Sequence, residues 1–485
     1  VLVIGTTSAF AFPSLGAGPA LVVLALLLVA LAVRNPTTGV VSAIVIGVSS
    51  GFWRRLIEWW DPKSLLTDQI VLLPTLLIVA AIAGSREVRV ARSPLALKLM
   101  LCAGVLGAIN PLGAGLASNF LTGALLLSFV AAFLLGRTRS VNLTTVIRSV
   151  LLIATLNSVY MLAQVLWGLR PWDERWVRYD GYASLYVGVN EVRPLGLASS
   201  AAESALLAAL GFVLATSCLI LGLTRWRGLV AVVAAVCLVA TVASGTRTFL
   251  ILALVSVAFA VAVRGRYFLV RLLVALSVVA VGAVTFSRDL VGVAGGGAAH
   301  SLALISGSDQ VSDTTAPVHV QLLVSGLMNG LRSIIGTGFG QLGQLTGNSA
   351  NAEVDIANIS LAAGILGVVA LIAVYGRALV AAVTAMRGRD RLRLLLALCL
   401  VASIGQWLTV GFYGMTACLW LFMGALTDQG MKAGNDGTDL VDRGQGHLER
   451  DERGPELVRP RPLRGGAREW PRPAIAPRRA RPDQA

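Results

Sequence analysis

Apolar blocks, each close to the length that crosses a lipid bilayer as a helix, recur along almost the whole of this chain. They fall at positions 15–33, 39–52, 66–83, 95–109, 117–135, 146–169 and 197–223, then at 229–243, 249–263, 268–284, 356–375, 392–407 and 412–426. Crossing the hydrocarbon core takes about 20 apolar residues, and short runs rich in Arg, Gly and Pro separate the blocks. With 56% of residues hydrophobic and 13% charged, against about 25% charged in soluble domains, the chain cannot coat a water-soluble surface. The pattern predicts an all-α, polytopic integral membrane helical bundle of about 12 to 14 spanning helices over positions 1–427. The count reaches the upper figure if the short stretch before Pro13 also crosses. That first run reads as a membrane segment rather than a cleaved signal peptide, because no basic stretch precedes it.

A formal charge of +15 raises the question of nucleic acid. The arginines, however, are dispersed between apolar blocks and do not gather on one soluble module. Membrane orientation accounts for them, since Lys and Arg in short loops stay on the cytoplasmic side. Alternate loops carry Arg86, Arg89 and Arg92; Arg137, Arg139 and Arg148; Arg225 and Arg227; Arg264, Arg266 and Arg271; and Arg377, Arg387, Arg389, Arg391 and Arg393. This alternation puts those loops on the cytoplasmic side, in a polytopic membrane protein of the bacterial type. Two longer loops, 170–193 and about 288–353, then face outward. The first holds Trp172, Trp176, Tyr179, Tyr182 and Tyr186, suited to the headgroup level or to sugar stacking. From 428 to 485 hydrophobicity collapses into Gly, Pro and charge, predicting a disordered, basic cytoplasmic tail able to lie against anionic lipid. Cys102, Cys218, Cys237, Cys399 and Cys418 lack metal-ligand spacing and read as small core residues. No internal repeat of the kind many secondary transporters show is present.

Ionisable groups near membrane depth cost a few kcal/mol, so those outside the cytoplasmic loops carry the functional question. Arg193-Pro194-Leu195-Gly196 stands where the first outward loop re-enters the membrane, followed by Ser199, Ser200 and Glu203. Its arginine can snorkel to the surface or clamp a phosphate with its planar fork. Ser244-Gly245-Thr246-Arg247-Thr248 is a polar turn on the outer side, against the positive-inside trend, and suits an anion at a helix start. The large outer loop holds His300 and His319, then Gly336-Thr337-Gly338-Phe339-Gly340, then Glu353, Asp355 and Asn358. The glycine segment lacks the Lys-Ser/Thr ending of a nucleotide loop, which argues against ATP. A neutral His or an ionised carboxylate beside outward arginines supplies a base for a hydroxyl and cations for a pyrophosphate leaving group.

The order of these motifs resembles the O-antigen ligase and O-antigen polymerase family of membrane glycan transferases over positions 193–375. In that family an Arg-Pro-x-Gly-like segment opens a span, as Arg193 to Gly196 does. A Ser-Gly-Ser-Arg-Thr-like turn follows two spans later, as Ser244 to Thr248 does. Next come an outer loop ending in Gly-x-Gly-x-Gly, here Gly336, Gly338 and Gly340, and a polar residue about eleven positions before Gly-x-x-Gly, here Glu353 before Gly364 and Gly367. Some members also carry a His upstream of the glycines, where His319 stands. The family's His-Asn pair is absent, and Ala201, Ala202 and Glu203 replace its Pro-Asn.

The resemblance implies inverting transfer of an oligo- or polysaccharide from a polyprenyl pyrophosphate-linked donor to a glycan or lipid acceptor at the outer membrane face. Neither metal nor other cofactor is expected, and no nucleic acid; the partners are the donor, the acceptor and membrane lipid. Arg193 and Arg247 would clamp the pyrophosphate. His319 or Glu353 would take the acceptor proton, Asp355 would orient acceptor or base, and Gly336, Gly338 and Gly340 would let the loop fold closely over the sugars. Two other readings stand beside it. A transporter or flippase of lipid-linked glycans would use the same arginines during passage. A polyprenyl-phosphate-sugar transferase of another class would need an acidic pair such as Glu58 and Asp61, which sit among Trp53, Trp59 and Trp60 as in an interfacial turn.

Overall fold

A backbone in lipid must satisfy its own polar groups, which leaves helices or closed barrels; every regular element among the described residues is helical. The computed structural model describes residues 18–61, 70–85, 87, 94–110, 115–180, 193–263, 267–278, 315–342, 355–388, 390–409 and 414–428. All of these belong to one unit, Val1–Leu440. The tail beyond Asp428, the stretch before Gly18 and most of the 288–353 loop lie outside the described residues.

Among the described residues, besides the short apolar helix Phe268–Val278, sixteen α-helices follow in order. They are α1 (Gly18–Arg34), α2 (Pro36–Val48), α3 (Ser50–Trp60), α4 (Leu73–Gly84), α5 (Leu95–Ala108), α6 (Leu116–Gly136), α7 (Leu143–Trp167) and α8 (Pro171–Asp180). The remainder are α9 (Ala201–Leu221), α10 (Arg227–Ala243), α11 (Arg247–Val263), α12 (Thr315–Gly330), α13 (Asp355–Arg387), α14 (Arg391–Ala402), α15 (Ile404–Thr409) and α16 (Thr416–Thr427). Polar side chains set several starts. Asn35 accepts from Thr38 N ahead of α2, with Pro36 at its first position, and Asn142 accepts from Thr145 N ahead of α7. Asp390 accepts from the amides of Leu392 and Arg393, so the first-turn donors that a helix cannot satisfy internally find oxygens.

Among the described residues three helices, α7, α9 and α13, are long and apolar enough to cross a membrane, and a fourth candidate results if the bent pair α2 and α3 counts as one. Shorter apolar helices surround them, including Val22–Arg34, Thr122–Gly136 and Phe268–Val278. Several expected spans differ in detail. The block at 39–52 ends at Val48, and the chain turns by 60° into the amphipathic α3, because Arg54, Arg55 and Glu58 cannot continue an apolar helix. The block at 356–375 lengthens to α13 but carries a break at Gly364. The block at 392–407 divides into α14 and α15 at Ser403. Both outer loops contain helices, α8 in the first and α12 in the second.

The centre of the bundle is α9, enclosed by α7, α10, α11 and α14. Small residues let it sit there: Ala205, Ala208, Ala209 and Ala215 are fully buried, the composition that permits close approach where lipid offers no hydrophobic driving force. Farther out, α6 and α16 pack with Gly136 against the backbone of Leu421 and Ala425, and Gly424 against Phe133. Trp420 fills the space beside them, its ring 6.4 Å from those of Phe129 and Phe133 and 6.2 Å from that of Tyr375.

Hydrogen bonds gather basic turns at one end of the bundle. Thr37 Oγ1 donates to Ser140 O at 3.2 Å and accepts from Asn142 N at 2.9 Å, while the hydroxyls of Ser85 and Ser140 meet at 2.7 Å. Glu87 accepts from Arg139 N at 2.7 Å, and Arg393 Nη2 donates to Leu426 O at 2.6 Å. The helix α7 runs from this end to the other, so α8, residues 193–200 and the start of α9 stand opposite the basic turns. Because α9, α10 and α11 are joined by short connections and packed together, the turn holding Arg247 shares that opposite end.

The break in α13 is sealed by other backbone. Gly364 adopts φ +62, Ile365 N and Leu366 N donate to Ser333 O and Ile334 O, and Thr337 N and Gly338 N donate to Leu361 O and Ala362 O. A Cβ at Gly364 would stand 2.6 Å from Gly336 N and 2.7 Å from the carbonyl carbon of Ile334. Gly364→Ala therefore combines an unfavourable backbone conformation with a collision, and should cost about 2 kcal/mol or more; thermal unfolding of detergent-solubilised protein measures it.

Candidate functional site

Residues 193–200 form an irregular strand of chain at the end of the bundle, and buried backbone there must find partners. Side chains from three helices supply them. Arg55, on α3, donates from Nη1 to Ala198 O at 2.8 Å and from Nη2 to Gly196 O at 2.5 Å. Gln164, on α7, accepts from Gly196 N at 2.8 Å, and Asn157 accepts from Leu197 N at 2.8 Å. Ser204, on α9, donates to Leu195 O. The third amide of α3, Phe52 N, donates to Leu197 O at 2.9 Å, so an orphan donor of one helix start satisfies the loop.

The guanidinium of Arg55 is itself sealed from solvent and balanced by a carboxylate. Its Nε stands 2.8 Å from Asp173 Oδ1, with both side chains at 0% exposure; this is an ion pair by proximity rather than an aligned hydrogen bond. Asp173 sits in the first turn of α8. Its other oxygen accepts from Tyr160 Oη at 2.7 Å and Gln164 Nε2 at 2.9 Å, and Tyr160 Oη accepts in turn from Trp172 Nε1 at 2.8 Å. Taking such a pair out of water costs several kcal/mol per ion unless the remaining donors and acceptors are filled, and here the loop carbonyls fill them. Gly196 needs φ +56, and a Cβ there would meet Ser204 Oγ at 2.6 Å and Met161 Cγ at 2.8 Å.

This arrangement holds Arg193 at a defined entry to the bundle. Pro194 and Leu195 are buried, Arg193 is half-buried, and Leu195 packs with Trp176, Val177 and Ala201. Trp176, expected at the headgroup level, is 3% exposed and carries Arg54 over its ring at 4.8 Å. It faces inward because α8 folds back onto α3. Ser200 accepts from Glu203 N at 3.2 Å and Glu203 accepts from Ser199 N at 3.3 Å, a capping box. The carboxylate is buried and also faces the amides of Gly414 and Met415, although its Oε1 makes no close hydrogen bond.

Arg247 is the first residue of α11 and is half-buried. Ser244 Oγ donates to Thr241 O at 2.6 Å and accepts from Thr246 N at 3.2 Å, with Gly245 at φ +70. The first turn of α11 meets α15, where a Cβ on Gly405 would lie 2.7 Å from Thr248 Cγ2. Next along, Gln406 Nε2 donates to Thr416 Oγ1 at 2.7 Å. A run of contacts through Glu203, Gly414 to Thr416, and Gln406 thus connects the Arg193 segment with the Arg247 turn at one end.

Gly336, Gly338 and Gly340 go elsewhere. They are buried between α5, α6 and α13: Asn110 Nδ2 donates to Gly336 O at 3.0 Å, Gly340 N donates to Asn119 Oδ1 at 2.5 Å, and Phe339 lies against Gly107 and Gly123. Where the sequence suggested a loop folding over sugars, the glycines allow this segment to seal the broken helix. His319 lies on α12 and Asp355 opens α13, two helices that pack together, but their side chains fall outside the described residues, as do Glu353 and His300 entirely. Among the described residues no group of three or more His, Cys, Asp or Glu stands where it could hold a metal ion.

Sequence reasoning missed Arg55, Asp173, Asn157 and Gln164. The available signal was two adjacent arginines inside a Trp-rich segment and an acidic pair directly after Pro171-Trp172. Comparison with known proteins gives no match: no family model, no curated protein and no solved structure matches the chain.

Removing one member of the buried pair strands the other. Arg55→Met should destabilise the protein by about 3–5 kcal/mol, and adding Asp173→Leu should recover part of that loss because the lone carboxylate is gone. The two unfolding midpoints, measured side by side, check both statements.

Proposed function

We propose that the chain is a multi-pass protein of the bacterial cytoplasmic membrane, with about 12 to 14 spans, that acts as a glycan ligase or polymerase. It would transfer an oligo- or polysaccharide from polyprenyl pyrophosphate to an acceptor hydroxyl at the outer face. The observation that carries this reading is the anchored Arg193 segment, which shares with the Arg247 turn the end of the bundle opposite the basic turns. Two arginines at one end suit a diphosphate, which carries several negative oxygens and leaves with more charge than it has when esterified. Exposed Trp60 and Trp167 stand toward that end, where indoles favour the headgroup level. The C-terminal end of α16, near Arg393, then faces the cytoplasm together with the tail.

In the chemistry this reading assigns, the acceptor oxygen attacks the anomeric carbon from the face opposite the pyrophosphate. The bond to the phosphate oxygen breaks as the new glycosidic bond forms, and the pyrophosphate keeps the electron pair. Arg193 and Arg247 stabilise that charge, His319 or Glu353 takes the hydroxyl proton, and Asp355 orients acceptor or base. No metal takes part in this scheme.

Purified Arg193→Ala and Arg247→Ala variants should each lose on the order of a hundredfold in transfer rate, read as free polyprenyl pyrophosphate formed from a lipid-linked glycan and an acceptor. Full activity in both would remove the clamp. A flippase would bind the same lipid-linked glycan without forming free polyprenyl pyrophosphate. Cysteines placed at 193 and 247 should react with an impermeant reagent added outside intact cells, and labelling only from the inside would overturn the orientation.

A further inference from the structure

Arg55, paired with Asp173, holds two carbonyls of the segment that begins with Arg193. From this geometry we infer that Arg55 and Asp173 are positioning residues for pyrophosphate binding, acting through Arg193; the inference rests on the reading given under Proposed function. Apart from Phe52 N on Leu197 O, side chains supply the partners of the segment at 195–198. Its carbonyls at 196 and 198 both terminate on Arg55, 2.5 Å and 2.8 Å away, and its amides at 196 and 197 terminate on Gln164 and Asn157. Gln164 also donates to Asp173, so the carboxylate orients one of the two groups that hold the amides as well as the guanidinium that holds the carbonyls.

Two residues, Pro194 and Leu195, separate Arg193 from Gly196, and both are buried. The backbone from which the Arg193 side chain springs therefore moves only if the clasp moves. A diphosphate held by a planar fork is sensitive to such placement, since displacement of about 1 Å can cost on the order of a hundredfold where geometry is set in advance. Lysine at position 55 keeps the charge opposite Asp173, but its single nitrogen lacks the fork that reaches both carbonyls and the carboxylate together. Asparagine at position 173 keeps the shape and removes the charge.

The test is a double-mutant cycle on detergent-purified full-length protein, with binding of polyprenyl pyrophosphate as the probe and thermal unfolding as a control. Arg55→Lys and Asp173→Asn should each weaken binding about tenfold or more. On an Arg193→Ala background, neither should weaken it further, because the group they position is gone. An effect of the same size with or without Arg193 would overturn the positioning role and leave Arg55 and Asp173 as stabilising residues only. Should Arg55→Lys fail to fold, Asp173→Asn completes the cycle alone. Wild-type protein that binds no polyprenyl pyrophosphate would overturn the functional reading and this inference together.

Discussion

The ion pair between Arg55 and Asp173 is the constraint on which the end of the bundle opposite the basic turns depends. Two charges without solvent exposure are unfavourable unless each spare donor and acceptor is met. Arg55 meets this condition by taking two loop carbonyls, and Asp173 by accepting from Tyr160 and Gln164. The pair draws α3, α7, α8 and the start of α9 together around residues 195–198. It also explains the bend after Val48. A straight continuation of α2 would carry Arg54 and Arg55 along a spanning helix into hydrocarbon, whereas the 60° turn lays α3 across the loop.

Helix interruptions recur wherever buried polar groups collect. Besides the turn between α2 and α3, α13 breaks at Gly364 and α14 gives way to α15 at Ser403. Each break frees backbone groups that must be satisfied within the protein. Residues 333–338 do this for α13, and the loop at 195–198 takes an amide from α3. Ser403, Gln406, Thr416 and Asn358 are all buried near the second and third interruptions. Discontinuous helices with polar interiors are a common way of building sites at membrane depth, and here one of them, α14, packs against α9.

Much of the fold was legible because its cause is local. Apolar blocks announce helices, whereas caps such as Asn142 and Asp390 emerged from the structure. Arginine-rich turns at one end follow from charge spacing alone. The candidate site was legible only in outline: Arg193 and Arg247 stood out because charge outside the cytoplasmic loops is costly, and Gly336 to Gly340 stood out as a motif. The packing of that motif against Asn110 and Asn119 could not be read in advance, since those residues lie more than 200 positions away.

What the sequence by itself determined was the run of apolar helices, the all-helical character of the described residues and the placing of basic residues in turns, because all three follow from residues within one helix length of each other. Only the tertiary structure decided which charges are buried and what they hold. Arg55 and Asp173 are ordinary amphipathic-helix residues when read along the chain, and 118 positions separate them. Their meaning arises when α8 folds back on α3 and excludes water, because a charge in water is nearly indifferent to its neighbours while a charge without water must be matched in place.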